Sequence, residues 1–229
     1  MDYSHPFELV SSYKPTGDQP AAISKVLKGI QNGKQFQVIL GATGTGKTFT
    51  DANIVAKLNR PTLVMVHNKT LASQLYGEFK ELFPNNRVEY FVSNFDFYQP
   101  EAYIPKSDTY IEKNAMMNDE IEMMRTSAVN SVIERNDTII VASVAAIYGL
   151  SDPDEYRGLV FDIHQGEVLD RKRLFQRLVE AQFRRDNLDI APGSFRVHGD
   201  IIDIAPMSTN DYYIRIDCFG DEVERISMV

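Results

Sequence analysis

Over roughly the first two-thirds of the chain, short all-apolar runs alternate with longer stretches in which apolar residues recur every three or four positions. Ala22, Ile23, Val26, Leu27 and Ile30 share one helical face, with Pro20 in the first turn and Gly33 behind. The spacing therefore predicts a helix running to about residue 31, capped by Asp18. Residues 36–40 read as a short apolar strand, 47–58 as a helix ended by Asn59-Arg60-Pro61, and 62–66 as a second apolar strand, which together make a βαβ unit. A helix over about 70–83 leads to a strand over 88–92, and a long helix over 115–134 leads to a strand over 138–142. Short apolar strands separated by helices imply a parallel sheet covered on both faces.

Beyond Gly149 the period changes. Helical stretches near 153–158 and 171–184 precede an alternating run over 195–204, and two more alternating runs, 213–219 and 223–229, meet at Gly220-Asp221. These predict an antiparallel sheet with helices. The expected fold class is thus α/β over residues 1–150, followed by a smaller α+β antiparallel-sheet domain over 151–229. The last strand runs to Val229 without a polar tail, which suggests a chain cut from something longer.

Composition narrows the class. Of 229 residues, 43% are hydrophobic and 24% charged, as in a soluble globular protein. No apolar run approaches the ~20 residues that span a bilayer, and the amino terminus lacks the basic start and apolar stretch of a secretory signal, so a cytoplasmic home without membrane contact is expected. Cys218 is the only cysteine and has no internal disulfide partner; it sits in a strand-like run as a half-buried small residue. His5, His67, His164 and His198 are scattered without metal-ligand spacing. A net charge of −8 argues against DNA binding by a broad cationic surface, so any nucleic-acid contact must be local.

The strongest chemical signal is Gly41-Ala42-Thr43-Gly44-Thr45-Gly46-Lys47-Thr48, a glycine-rich loop between a predicted strand and a predicted helix. In such a P-loop the backbone N–H groups and the helix N-terminus face the phosphates of ATP. Lys47 neutralises the β/γ charge, and the Thr48 hydroxyl ligates Mg2+. Lys47 and Thr48 are the candidate catalytic residues, and Phe49 in the next position joins the loop in the candidate nucleotide set. Upstream, Tyr13 offers a ring to stack on adenine and Gln19 an amide to read its donor and acceptor. A capped helix start beside a surface tyrosine explains the same residues, but next to a P-loop they fit the adenine clamp of a helicase-like ATPase.

Residues 90–110 hold seven aromatics in 21 positions: Tyr90, Phe91, Phe95, Phe97, Tyr98, Tyr103 and Tyr110. Pro100 and Pro105 exclude one helix or a central strand, leaving an edge or free hairpin. Aromatics on a projecting hairpin can stack on bases, each stack worth about 1–3 kcal/mol without sequence preference. Packing into the domain or against a partner fits the composition equally well.

Several segments together resemble one family: Thr16-Gly17-Asp18-Gln19-Pro20, the P-loop, His67-Asn68-Lys69-Thr70-Leu71-Ala72, Tyr98-Gln99-Pro100-Glu101-Ala102-Tyr103, Asp108-Thr109-Tyr110-Ile111-Glu112-Lys113 and Ile140-Val141-Ala142-Ser143-Val144. They resemble the UvrB family, the damage-verifying subunits of bacterial nucleotide excision repair, over essentially the whole chain as an amino-terminal portion. The resemblance implies a superfamily 2 helicase (RecA-like) fold with a β-hairpin inserted at about 93–112 and threaded between the strands of damaged double-stranded DNA. It further implies DNA contacts from Lys69, Phe95, Phe97, Tyr98, Tyr103, Tyr110 and Ser143, loading by UvrA, and recruitment of the UvrC nuclease through regions outside this chain. Residues from about 151 resemble the UvrA-docking domain, with Arg185, Arg196, Arg215 and Asp217 forming ion pairs with UvrA.

Three departures matter. The hairpin cluster has Asn94, Phe95 and Phe97 where the family usually places tyrosines. His198 stands where an arginine is usual, making its charge pH-dependent. No Asp-Glu strand-end motif and no distal arginine motif follow the P-loop, although both complete the superfamily's ATPase site. The expectation is weak nucleotide binding without appreciable turnover, and the rival reading is a non-catalytic module that binds nucleotide and docks UvrA.

Overall fold

A computed structural model describes residues 5–93, 102–104, 109–111, 119–147 and 153–229. The chain divides into two compact units, Met1–Ile121 with Ala128–Tyr148, and Glu122–Ser127 with Gly149–Val229.

The first unit begins with α1 (Gln19–Gln31), which carries its proline in the first turn. Asp18 occupies the position before it but does not cap it. Its backbone is helical, at φ −83° and ψ −8°, and its side chain makes no capping bond. A capping carboxylate needs extended backbone to reach the free amides of the first turn. There follow α2 (Lys47–Leu58), β1 (Thr62–Val66), α3 (Lys69–Leu82), β2 (Arg87–Phe91), the short strands β3 (Ala102–Ile104) and β4 (Thr109–Ile111), α4 (Asp119–Glu134) and β5 (Thr138–Ser143), with a 3-10 turn over Val144–Ile147. Residues 115–118, expected to start α4, lie outside the described residues.

The sheet of this unit is parallel in the order β1-β5-β2. β5 is central, with Ile139 and Val141 fully buried, and Ala72, Phe79, Phe83 and Val88 close the core beside them. A second cluster joins Phe91, Ala142 and Ala146 to Ala128 of α4.

The expected strand over 36–40 does not form. Phe36, Val38 and Leu40 are 89%, 91% and 97% exposed, and the segment pairs with no strand among the described residues. A strand exists only through its ladder, and apolar alternation alone supplies no partner. For the same reason β1 is not covered on both faces as expected, and Leu63 and Met65 stand exposed along it.

An amino-terminal strap, which the hydrophobic pattern did not reveal, is fastened across this unit. Phe7 is buried edge-on against Phe83, with ring centroids 5.6 Å apart. The Phe7 amide donates to Asn59 Oδ1, the Glu8 amide to Asn86 Oδ1 and the Val10 amide to the Leu82 carbonyl. Asn86 Nδ2 in turn donates to the Pro6 carbonyl and to Asp137, a fully buried carboxylate also held by Arg135 through Nε and Nη2.

The second unit contains α5 (Pro153–Leu159), α6 (Arg171–Glu180), β6 (Arg184–Arg185), β7 (Ser194–His198), β8 (Ile201–Ala205), β9 (Ile214–Phe219) and β10 (Glu222–Met228). α6 starts on Asp170, whose side chain accepts the Arg173 amide at 3.0 Å. It ends four residues before the expected 184, because Gln182 turns left-handed (φ +66°) and delivers Phe183 to the core, its amide on the Leu178 carbonyl. The run expected as one stretch over 195–204 is two strands, folded back at Gly199 (φ +60°), where only glycine is unstrained. The sheet order is β10-β9-β8-β7-β6, antiparallel except for the parallel pair β6–β7. Alternation turns Phe195, Ile202, Ile204, Ile216, Cys218 and Val223 toward Leu174 and Leu178 of α6 and leaves the other face polar.

Candidate functional site

The P-loop is built by two left-handed glycines. Gly44 (φ +80°) and Gly46 (φ +74°) bend the chain into the head of α2. The first backbone bond of α2 runs from the Thr50 amide to the Gly46 carbonyl, so the amides of Lys47, Thr48 and Phe49 come ahead of the helical ladder and the loop presents free donors at a helix N-terminus. Lys47 Nζ lies folded on the carbonyls of Gly41 (3.1 Å) and Ala42 (2.8 Å), and Thr45 Oγ1 also donates to Ala42 at 2.8 Å. The loop is anchored into the unit from behind: Thr50 Oγ1 donates to the Gly46 carbonyl at 3.0 Å, and Ala52 and Val55 of α2 are buried in the core. This donor set fits a polyphosphate with a divalent cation. Free amides and one ammonium face the anion, and the half-buried Thr48 hydroxyl stands at the position of a cation ligand.

Gln19 belongs to this site. Its Nε2 donates to the Thr45 carbonyl at 3.0 Å, and its Oε1 accepts the Thr16 amide at 3.1 Å. A Cβ at Gly46 would sit 2.6 Å from Gln19 Nε2, so a side chain there would displace the Gln19 amide, while the backbone angle (φ +74°) itself favours glycine. Both ends of the amide are thus committed to backbone. Tyr13 is 78% exposed, and Phe49 is half-buried.

Because the sheet is parallel, the carboxyl ends of β1, β2 and β5 emerge together, the edge at which open α/β sheets bind ligands. Asn68 caps α3 there by accepting the Leu71 amide at 2.8 Å, and Lys69 follows as the first helical residue. Ser143 ends β5 beside Val66, is 2% exposed, and its hydroxyl finds no partner among the described residues. β3 and β4 pair antiparallel with Tyr103 opposite Tyr110. Phe95, Phe97 and Tyr98 lie outside the described residues.

The four residues expected to form ion pairs with a partner lie on two faces of the sheet. Arg185 pairs in register with Phe195 and lies over the Phe175 ring at 5.9 Å, on the helix-covered side of the sheet. Arg196 and Arg215 lie on the opposite face, where both bond Asp203. Asp217 is taken by Arg225, through Nε at 2.9 Å and Nη2 at 2.7 Å. Arg225, Asp203 and Tyr213 were not singled out by sequence. Their signal was the two-residue alternation of the outer face, which is visible only once the hairpin registers are known. Among the described residues no group of three or more His, Cys, Asp or Glu is placed to hold a metal ion, and no helix is long and apolar enough to cross a membrane.

Comparison with known proteins bears on both units. The family described as "Type III restriction enzyme, res subunit" matches residues 12–166, and the family described as "UvrB interaction domain" matches residues 161–229. UvrABC system protein B of Lactiplantibacillus plantarum is 57% identical over 226 residues, 99% of this chain and 34% of that protein. The chain belongs to the UvrABC system protein B family. The namesake of Bacillus subtilis is 56% identical over 223 residues, 97% of this chain and 34% of its own length. The chain therefore spans about a third of the length of the UvrB relatives it matches. A solved nuclease-deletion mutant of the Type ISP restriction-modification enzyme LlaGI, in complex with a DNA substrate mimic, superposes over 57% of this chain and 12% of that one. Its TM-score of 0.38 and 20% identity are too low to carry an argument.

Proposed function

We propose that this chain forms the ATP-binding and UvrA-docking part of a damage-verifying subunit in bacterial nucleotide excision repair. The observation that carries the reading is the cradle of free amides at the head of α2, with Lys47 and Thr48 at its rim and Gln19 bracing it from α1. Lys47, now held on two loop carbonyls, would offset the β/γ-phosphate charge, and the Thr48 hydroxyl would help to hold a Mg2+ ion that supplies further charge neutralisation at the phosphates. Tyr13, exposed on the approach to α1, stacks on adenine, and Phe49 packs at the loop's edge. On this reading Lys47 and Thr48 act on the phosphates only, and the 229 residues alone bind ATP without turning it over.

The same reading assigns the aromatic hairpin over about 93–112, with Phe95, Phe97, Tyr98, Tyr103 and Tyr110, to the separation of DNA strands, and Lys69 to a phosphate beside it. Residues 151–229 dock UvrA through the outer face of the five-stranded sheet, and the complex hands the lesion to UvrC. The match of residues 161–229 to the UvrB interaction domain supports the docking part.

The test is direct. Purified protein is titrated with a fluorescent ATP analogue and, separately, with Bacillus subtilis UvrA. Saturable nucleotide binding that Lys47→Ala abolishes, together with UvrA binding that survives that change, is the expected result. ATP hydrolysis by the 229 residues that Lys47→Ala removes would overturn the claim of binding without turnover.

A further inference from the structure

On the outer face of the five-stranded sheet, Arg196, Asp203 and Arg215 stand in one row on three adjacent strands, paired in register. Asp203 is 1% exposed although it lies on the face turned away from α6. Opposite charge encloses it. Arg196 Nε donates to Asp203 Oδ2 at 2.7 Å, while Arg215 donates through Nε to Oδ1 at 2.8 Å and through Nη2 to Oδ2 at 3.1 Å. Arg215 Nη2 also reaches the Tyr213 hydroxyl at 3.2 Å, and both guanidiniums lie over the Tyr213 ring, at 5.4 and 5.5 Å from its centroid. Burial alone would push the Asp203 carboxyl up, but hydrogen bonds from Arg215 and Arg196 outweigh it and hold the group below the usual carboxylate range.

The consequence is geometric. A free arginine side chain loses rotamer entropy when a partner orders it; here that loss is already incurred in folding. Arg196 gives Asp203 only its Nε, which leaves its two terminal NH2 groups for a partner. We infer that Asp203 and Tyr213 are positioning residues that set Arg196 and Arg215 as a preformed fork for carboxylates on an acidic protein surface. This rests on the docking function proposed above. A protein partner fits better than nucleic acid. The neighbouring row is the compensated pair Asp217–Arg225, Asp200 at the Gly199 turn is likewise paired with Arg171, and the chain as a whole carries −8. Two arginines that share one carboxylate among neighbours already paired lack the run of cations that a phosphodiester chain requires, but the terminal NH2 pair of Arg196 beside Arg215 suits a discrete carboxylate.

The experiment measures affinity of the 229-residue protein for Bacillus subtilis UvrA, with thermal unfolding of each variant as a check on folding. Asp203→Asn and Tyr213→Leu are each expected to weaken binding by about tenfold, and Arg196→Ala with Arg215→Ala by more. In the background lacking both arginines, Asp203→Asn is expected to cost nothing further, because nothing remains to be positioned. A further additive loss there would mark Asp203 as merely structural and overturn the inference. Should Asp203→Asn fail to fold, Tyr213→Leu decides alone, and wild-type affinity in that variant overturns the fork while leaving the docking reading intact if the arginine changes still weaken binding. No binding of UvrA by the wild-type protein overturns the docking reading and the inference with it. Loss of duplex DNA binding in the arginine variants, with UvrA affinity unchanged, overturns the choice of a protein partner.

Discussion

Gln19 Nε2 donates to the carbonyl of Thr45 at 3.0 Å, so the first residue of α1 is tied to the tip of the P-loop. Gln19→Ala frees that carbonyl and the Thr16 amide together, and the loop loses its brace. Nucleotide affinity is expected to fall by about tenfold, with little change in thermal stability because both groups are exposed to water. Gln19→Glu is expected to behave like the alanine variant, since a carboxylate has no hydrogen to donate to Thr45. Wild-type affinity in both variants, measured by titration with a fluorescent ATP analogue, would remove Gln19 from the site.

Gly46 tests the same contact from the other side. Gly46→Ala combines a left-handed backbone at φ +74° with a Cβ only 2.6 Å from Gln19 Nε2. The expected result is a loss of nucleotide binding at least as large as that of Gln19→Ala, and the double variant is expected to be no worse than Gly46→Ala alone. Calorimetric titration of the three proteins reads this coupling, and additive losses would contradict it.

Asp137 sets an acid limb of stability. Burial raises its pKa, but the Arg135 and Asn86 hydrogen bonds outweigh burial and leave the folded-state value below the ordinary carboxylate pKa of about 3.9. The folded protein therefore holds this proton less tightly than the unfolded chain. The stabilisation is complete above about pH 4 and is lost as pH falls through the folded value. Asp137→Asn keeps the shape and removes the charge, so it is expected to cost about 1–3 kcal/mol near neutrality and to flatten the decline on acidification. Urea unfolding at pH 7 and at successive steps below pH 4 gives both quantities, and an unchanged acid limb in the variant would sink the assignment.

Phe36, Val38 and Leu40 present bare apolar side chains beside backbone without a ladder. Such a segment is a template for strand addition from another molecule. The 229-residue protein is expected to self-associate as its concentration rises, and Val38→Lys to shift it toward monomer. Analytical ultracentrifugation at several concentrations is the measurement, and a monomer at every concentration would show that the exposed stretch is harmless.

Local periodicity carried much of this architecture. Residues 47–58 are satisfied by their own helical bonds and 138–142 by burial in the middle of the sheet, while 62–66 pair along the edge of that central strand, and all three fold where expected. The P-loop was equally legible, because its glycines are needed by the loop's own angles. What escaped depends on distant partners. Nothing in residues 36–40 announces that no strand lies alongside. The seat of Asp203 between Arg196 and Arg215 follows from strand registers rather than from spacing. The placement of Arg185 and Arg196 on different faces follows from one-residue alternation across the parallel pair β6–β7. Gly199 was visible in the sequence, yet the alternation on either side of it masked a reversal.

The strap at residues 6–10 has a temporal consequence. Its anchors are Asn59, Asn86 and, through Asn86, Asp137, so a segment made early is fastened by a residue made much later in the same unit. At ordinary elongation rates the wait from Pro6 to Asp137 is on the order of ten seconds, during which Phe7 has no closed core to enter. A chain stalled before residue 137 would leave Asn86 half-bonded and the strap loose, which makes this segment a reporter of whether synthesis of the first unit has run to completion.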